Sequence, residues 1–212
     1  MELQSIQIAL FFKEVLFDRP DLKFRNLTEK LSDVFDKMPT IFPIPNDAPH
    51  EIPFMILSSQ NNLTTCNISR SRIDLITMLI KNENKLNEFI DEVCKARDII
   101  QFGFVATHFK STDKASEDIK QRFLKNNEEI KDLSIRYNKP TKINKEIYNY
   151  HFSISDIKQQ NINTNSIEVG LMIQRDINNI SLNIKNEIFV SSKLKSILKN
   201  SQDILYSSEI NA

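Results

Sequence analysis

Only two glycines, Gly103 and Gly170, occur among the 212 residues of this chain. Glycine reaches positive φ angles and lets a backbone approach a ligand closely, because it has no Cβ atom. Phosphate-binding loops, dinucleotide-binding fingerprints and the nucleophile turns of hydrolases all need glycine at fixed positions. The sequence therefore predicts no catalytic site of these kinds and no cofactor held by one.

Basic and acidic side chains are balanced in number, at 28 each. A chain without a net positive charge is not expected to be held by a nucleic acid or an anionic membrane through its overall field. No apolar run approaches the roughly 20 residues of a membrane-spanning helix, and the first residues, Met1 to Gln4, lack the basic segment of a signal peptide. We therefore expect a cytoplasmic protein with no membrane contact, in which Cys66 and Cys94 are free buried thiols.

The first half of the chain has the hydrophobic periodicity of both strands and helices. Extended segments are predicted at residues 3–12, 52–57 and 63–76. Helices are predicted at 27–38, with Asn26 as N-cap and Glu29 as its partner, and at 84–97. Five of the seven prolines fall between Pro39 and Pro53, which predicts a surface loop there.

The second half continues with the same kinds of segment. Extended segments are predicted at residues 99–109, 130–137, 146–155 and 167–174, and the alternation of Ile180, Leu182 and Ile184 predicts another. Helices are predicted at 116–126 and 191–206, and loops at 138–145 and 159–166. The segment 99–109 is apolar on both faces, which predicts a place inside the sheet, with Gly103 where a helix packs closely.

The order strand, helix, hairpin, helix in the first half is followed by strand, helix, sheet, helix in the second. We therefore predict an α+β fold of two related β-α-β-β halves, which form a largely antiparallel sheet with helices packed on one side. The length is that of one domain over residues 1–212, with pseudo-repeat halves 1–98 and 99–206.

The three histidines are too far apart in sequence to predict a metal site. His50, His108 and His151 are separated by more than forty residues each, whereas zinc sites need short spacings within at least one ligand pair. Asp47 and Glu51 lie beside His50 in the proline loop and are expected to be solvated. We interpret His108 and His151 as ordinary sheet histidines, with proton transfer as the alternative.

Arginines and an aromatic residue on predicted strands give the alternative of nucleic-acid binding. Arg70 and Arg72 are predicted on one face of the strand 63–76, and Arg136 and Tyr137 on a later strand. Such a face could stack bases, although a solvated face with ion pairs to neighbours such as Asp74 is favoured at zero net charge.

A metal-dependent nuclease is a further form of this alternative. Some nucleases use an acidic-x-lysine triplet on a strand, and the triplet from Glu129 to Lys131 is the best placed of several here. A chain this rich in Glu, Asp, Ile and Lys also contains such triplets by chance.

Residues 54–75, the helix around Phe89 and the segment from Phe102 to Val105 together resemble an uncharacterised, sporadically distributed bacterial family. In that family a hairpin that ends in a serine- and arginine-containing strand precedes a helix and an apolar glycine strand. The final helix, from Leu194 to Leu205, is similar to its C-terminus. Members occur near mobile elements and defence genes, so the resemblance implies a context of antiviral defence and assigns no chemistry.

These observations lead to three hypotheses. The first is a non-enzymatic protein-binding component, such as an adaptor, inhibitor or immunity factor of a bacterial or phage conflict system, with another protein as partner. The second is the nucleic-acid-binding or nuclease-like protein described above. The third is a small-ligand sensor with its site between the two halves. A homo-oligomer is compatible with each of them.

Overall fold

One nine-stranded sheet is the framework of the protein. The computed structural model describes residues 1–17, 20–78, 83–124, 133–160, 166–179 and 187–207. Its strands are β1 (Glu2–Phe12), β2 (Thr40–Ile41), β3 (Met55–Ser58), β4 (Thr64–Ile68), β5 (Arg72–Thr77), β6 (Ile99–Ser111), β7 (Ser134–Ile143), β8 (Glu146–Gln160) and β9 (Ile167–Asn178). Its helical segments are α1 (Pro20–Lys23), α2 (Arg25–Lys30), α3 (Glu83–Ala96), α4 (Ala115–Phe123) and α5 (Ser191–Leu205). The α+β class is confirmed.

The strand order across the sheet is β2-β3-β4-β5-β1-β6-β9-β8-β7. Every neighbouring pair is antiparallel, so the predicted antiparallel sheet is also confirmed. The longest central pairing joins β1 and β6, in which Ile8 faces Phe104 and Ala9 faces Gly103. Because β6 has a strand on each side, the prediction that residues 99–109 lie inside the sheet is correct.

Alternate side chains of the strands form one hydrophobic core with the helices. Along β1 the positions in this core are Ile6, Ile8, Leu10 and Phe12, every second residue. Along α3 they include Leu86, Phe89, Ile90 and Val93, the i, i+3, i+4, i+7 spacing of one helix face. Side chains of α2, α3, α4 and α5 all join this core. No helix within the described ranges is long and apolar enough to cross a membrane.

The predicted strand 63–76 is two strands. A turn at residues 69–71 separates β4 from β5, which pair with each other, as Cys66 with Leu75 and Ile68 with Ile73. The Ser69 hydroxyl donates to the carbonyl of Arg72 and closes the turn. Arg70 therefore lies in a turn, and the prediction that it shares a strand face with Arg72 is wrong.

The predicted loop 138–145 is also mostly strand. β7 continues through Pro140 to Ile143, and a two-residue turn, Asn144 and Lys145, leads into β8. Both turn residues have positive φ angles, 52° and 69°, as type I′ hairpin turns require. Proline is tolerated in β7 because this strand lies at the end of the strand order, where an amide need not pair.

The helix predicted at 27–38 is shorter than expected. α2 ends at Lys30 and Asn26 lies within it, so Asn26 is not the N-cap. Leu31 and Phe35 remain buried in the turns that follow, whereas Met38 is 90% exposed. The proline region is mostly loop, as predicted, apart from the two residues of β2. The alternation from Ile180 to Ile184 lies outside the described residues.

Candidate functional site

The sheet has a second face, which we call the open face because none of the described helices packs on it. Antiparallel partners point to the same side, so the register identifies its members. They alternate with the core residues and do not belong to the core cluster. In the middle of the sheet they are Gln7, Ala9, Phe11, Arg72, Asp74, Ile76, Gln101, Gly103, Val105, Thr107, Met172, Gln174, Asp176 and Asn178.

Asp74 of β5 is held by neighbours on the open face. Its Oδ1 accepts a hydrogen bond from the side-chain amide of Gln7 at 3.3 Å. Its Oδ2 lies 2.9 Å from Nε of Arg72, whose guanidinium also stacks over the ring of Phe11. Burial raises the pKa of Asp74, with Arg72 and Gln7 acting in the opposite direction. Arg72 is therefore the only basic side chain beside Asp74 in the middle of the described open face, and it is already bound to this carboxylate.

Asp176 of β9 belongs to a chain of polar groups that crosses three strands. Its Oδ2 accepts a hydrogen bond from Asn178 at 2.7 Å, and Asn178 accepts one from Asn149 of β8 at 3.2 Å. His151, its cross-strand neighbour, has its Nδ1 2.6 Å from the side-chain oxygen of Asn138. Burial raises the pKa of Asp176, while Asn178 and then His151 favour the charged form.

A strip of small residues lies between the two carboxylates. Asp74, Ala9, Gly103 and Asn178 are successive cross-strand neighbours, so the row crosses β5, β1, β6 and β9. A Cβ atom at Gly103 would lie 3.7 Å from Oδ1 of Asp176. Gly103 therefore faces a carboxylate on the open face, and the prediction that a helix packs against it is wrong. Oδ1 of Asp176 has no hydrogen-bond partner within the described part of the chain.

The four residues of the nucleic-acid hypothesis do not form one surface. Arg70 is buried, and its guanidinium donates to the carbonyls of Ile44, Pro45 and Asn46. Arg72 is on the open face, with Asp74. Arg136 is exposed at the outer strand β7. Tyr137 points to the opposite face, where its ring stacks on Phe152.

The other sequence candidates are also dispersed. Cys66 is fully buried and Cys94 half-buried, and burial raises the pKa of both thiols, that of Cys94 to about 11. The carbonyl of His50 accepts hydrogen bonds from the turn at residues 69–71. Across the described ranges, no group of three or more His, Cys, Asp or Glu side chains is arranged to hold a metal ion. Glu129 and Lys131 lie outside these ranges.

A buried polar group lies on the core side of the same strands. His108 and Arg175 are 1% and 2% exposed, and a guanidinium nitrogen of Arg175 lies 3.3 Å from Nδ1 of His108. Since an arginine always donates, this nitrogen of a neutral His108 is the acceptor. Burial, and then the charge of Arg175, lower the pKa of His108 to about 4. The pKa of Arg175 is lowered by burial, with Tyr150 and Tyr137 acting against this.

We expect the low pKa of His108 to make the fold sensitive to acid. The unfolded chain binds a proton at this residue near pH 6.5 and the folded chain only near pH 4. Stability is therefore lost as the pH falls from 6.5 toward 4, by about 2 kcal/mol between pH 7 and pH 5. Urea unfolding of the wild type and of His108→Gln at several pH values measures the difference. An equal pH slope for both proteins would contradict the assignment.

Two comparisons with known proteins give no match. No protein-family model matches the chain, and no curated protein matches it in sequence. The sequence did not single out Asp176 because groups beside it, such as Gly103 and His151, come from other strands.

Proposed function

We propose that this protein is a protein-binding component whose partner docks on the open face. The observation that carries the proposal is a broad sheet surface that the described helices leave uncovered. Its middle combines half-buried apolar side chains, such as Phe11, Val105 and Met172, with half-buried amides and hydroxyls, such as Gln7, Thr107 and Gln174. Mixed surfaces with aromatic residues and satisfied polar groups are typical of the central part of protein interfaces.

The charges in the middle of the open face favour a partner that presents lysine or arginine. The described charged residues there are Asp74, Asp176 and Arg72, which sum to one negative charge. Since Arg72 is bound to Asp74, and no described lysine or arginine is paired with Asp176, the excess negative charge lies at Asp176. A phosphate backbone would be repelled at the same place, so the observations favour a protein over a nucleic acid.

The adaptor, inhibitor and immunity roles expected from the sequence all require such a face. In each of them the protein acts by occupying a surface of its partner, and the resemblance to a family near defence genes suggests that the partner belongs to a bacterial or phage conflict system. We propose this wider role together with the docking face.

We also propose that residues 1–98 and 99–206 are related halves. The strand order supports this. Outward from β1 the neighbours are β5, β4 and β3, and outward from β6 they are β9, β8 and β7. In each half the first strand lies inside the sheet, and the later strands run back to it from the outside. The open face of such a molecule would have an approximate twofold axis between β1 and β6.

Site-specific photo-crosslinking in host cells tests the docking face. A photo-reactive amino acid at Thr107 lies on the open face, whereas one at Lys199 lies on the exposed side of α5. We expect Thr107 to capture a defined protein and Lys199 to capture none at a comparable level. Crosslinks to RNA or DNA at Thr107, or equal protein capture at both positions, would reject the proposal.

Charge reversal at Asp176 distinguishes the two kinds of partner. We expect Asp176→Arg to weaken binding of the captured protein by about tenfold, because the partner's cation then meets a like charge. Lys199→Glu, on the exposed side of α5, is the control and is expected to leave protein binding unchanged. If the open face bound nucleic acid instead, Asp176→Arg would strengthen binding and Arg136→Glu would weaken it. Affinities of the purified variants, measured at two salt concentrations, separate these outcomes.

A further inference from the structure

A cavity of about 210 Å³ lies on the core side of the sheet, between α3, the turns after α2 and the ends of β4 and β5. It is therefore separate from the open face. An engineered apolar cavity of about 150 Å³ is large enough to bind benzene. This cavity can therefore hold a molecule with one ring. Its apolar wall is formed by Leu31, Val34, Phe35, Leu75, Leu86 and Phe89.

The polar groups of the inner wall bond mainly to each other. The hydroxyls of Thr64 and Thr77 are 2.9 Å apart, and the Ser59 hydroxyl donates to the side-chain oxygen of Asn61 at 2.7 Å. Because these groups have partners in the protein, the inner part of the cavity accepts an apolar body without leaving a buried polar group unsatisfied. A polar group of the ligand is then directed to the mouth.

The described charged residues at the mouth are Asp33, Asp36 and Lys85. Lys85 is bound on both sides, 3.0 Å from Asp33 and 3.1 Å from Glu88. Asp36 accepts a hydrogen bond at 2.5 Å from the backbone amide of Gln60. Among the described residues, no basic side chain forms an ion pair with Asp36. Among these described residues, two carboxylates and one ammonium leave an excess of one negative charge, at Asp36.

We propose that this cavity binds a small primary amine with an apolar, single-ring body. The body occupies the space between Phe35, Leu86 and Phe89, and the ammonium group pairs with the carboxylate of Asp36. This inference does not depend on the open face or on its partner. It also places a ligand site within the first half of the chain, whereas a sensor site between the halves was the sequence-based hypothesis.

Three probes with the same ring and different end groups test the chemistry. They are phenethylamine, 2-phenylethanol and phenylacetate, titrated into the full chain while the methyl resonances of Leu31, Val34, Leu75 and Leu86 are followed by NMR. We expect saturable shifts with phenethylamine at concentrations near or below about 10 mM, as ligand efficiency allows for a molecule of this size. Phenethylamine should bind about three- to fivefold more tightly than 2-phenylethanol, since a partly exposed ion pair contributes modestly, and phenylacetate should bind most weakly.

Variants then test the location. Asp36→Asn is expected to remove the preference for the amine and to leave 2-phenylethanol binding unchanged. Val34→Trp fills the mouth and should abolish binding of all three probes. Val15→Trp, at a 36% exposed valine elsewhere, is the matched control and should bind as the wild type does. Absence of saturable shifts in the wild type, a preference for phenylacetate, or undiminished binding by Val34→Trp would each overturn the proposal.

Discussion

Gly170→Ala is expected to destabilise the protein by about 3 kcal/mol, because one added methyl group overpacks two adjacent strands. Gly170 lies in β9, opposite Ser111 of β6. A Cβ atom there would meet the backbone carbonyl oxygen of Lys110 and would lie 2.5 Å from Cζ of Phe109. A backbone atom cannot rotate out of the way as the end of a flexible side chain can, so β6 and β9 would have to separate.

Gly103→Ala is the matched control, since both glycines lie in long strands of the same sheet. The nearest atoms to a Cβ at Gly103 are Oδ1 of Asp176 at 3.7 Å and Cβ of Ala9 at 3.9 Å, which are ordinary contacts. We expect this variant to be as stable as the wild type or more stable by about 0.5 kcal/mol, because alanine reduces the entropy of the unfolded chain.

Urea unfolding followed by circular dichroism measures both changes. Part of the penalty at Gly170 comes from the ring of Phe109, so Phe109→Leu in the Gly170→Ala background should cost less than it costs in the wild type. Similar losses for the two glycine variants would show that the close approach at Gly170 does not determine its identity.

The two glycines show which features of this protein can be predicted from the sequence and which cannot. Their scarcity argued against glycine-dependent loops, yet it gave no indication of which side chains each glycine contacts. Gly103 borders the carboxylate of Asp176, and Gly170 lies under the ring of Phe109. The difference depends on the register of β6 against β9, which is a pairing of residues about seventy positions apart.

Local patterns were sufficient where an element has a regular apolar period. β1 alternates, β6 is a continuous apolar segment, and α3 and α5 have apolar residues on one side, so their existence and type were predicted. Turns were harder to predict from the sequence. The turn at residues 69–71 has the sequence Ser-Arg-Ser without glycine, proline or asparagine, and Lys145 has a positive φ angle that lysine rarely adopts.

The residues of the open face could not be identified from the sequence, because they lie on strands that are far apart in the chain. Asp74 and Asp176 are about a hundred residues apart in the sequence, and they share one face because β1 and β6 join their strands into one sheet. Arg70 and Arg72 were predicted to lie on one face because residues 63–76 were expected to form a single strand. The turn between β4 and β5 separates them, and Arg70 instead donates hydrogen bonds to carbonyls of the proline loop.

Arg70→Ala is expected to destabilise the protein by about 4 kcal/mol, because it removes four hydrogen bonds from a buried charged donor, each contributing on the order of 1 kcal/mol. One guanidinium nitrogen donates to the carbonyls of Pro45 and Asn46 at 2.9 and 3.2 Å. The other donates to the carbonyl of Ile44 at 3.0 Å and to the side chain of Asn46 at 3.2 Å. Removal of the side chain leaves these acceptors without their donor and frees the proline loop from the β4-β5 turn.

Two further variants separate this role from one in nucleic-acid binding. Arg70→Lys keeps the charge without the planar fork of donors, and we expect it to lose about half as much stability. Arg136→Ala, at an exposed arginine, should change stability by less than about 0.5 kcal/mol. Urea unfolding and RNA or DNA binding at low salt are measured on all three. An Arg70→Ala protein as stable as the wild type but unable to bind nucleic acid would contradict the structural role, because a side chain that anchors a loop cannot be removed without cost.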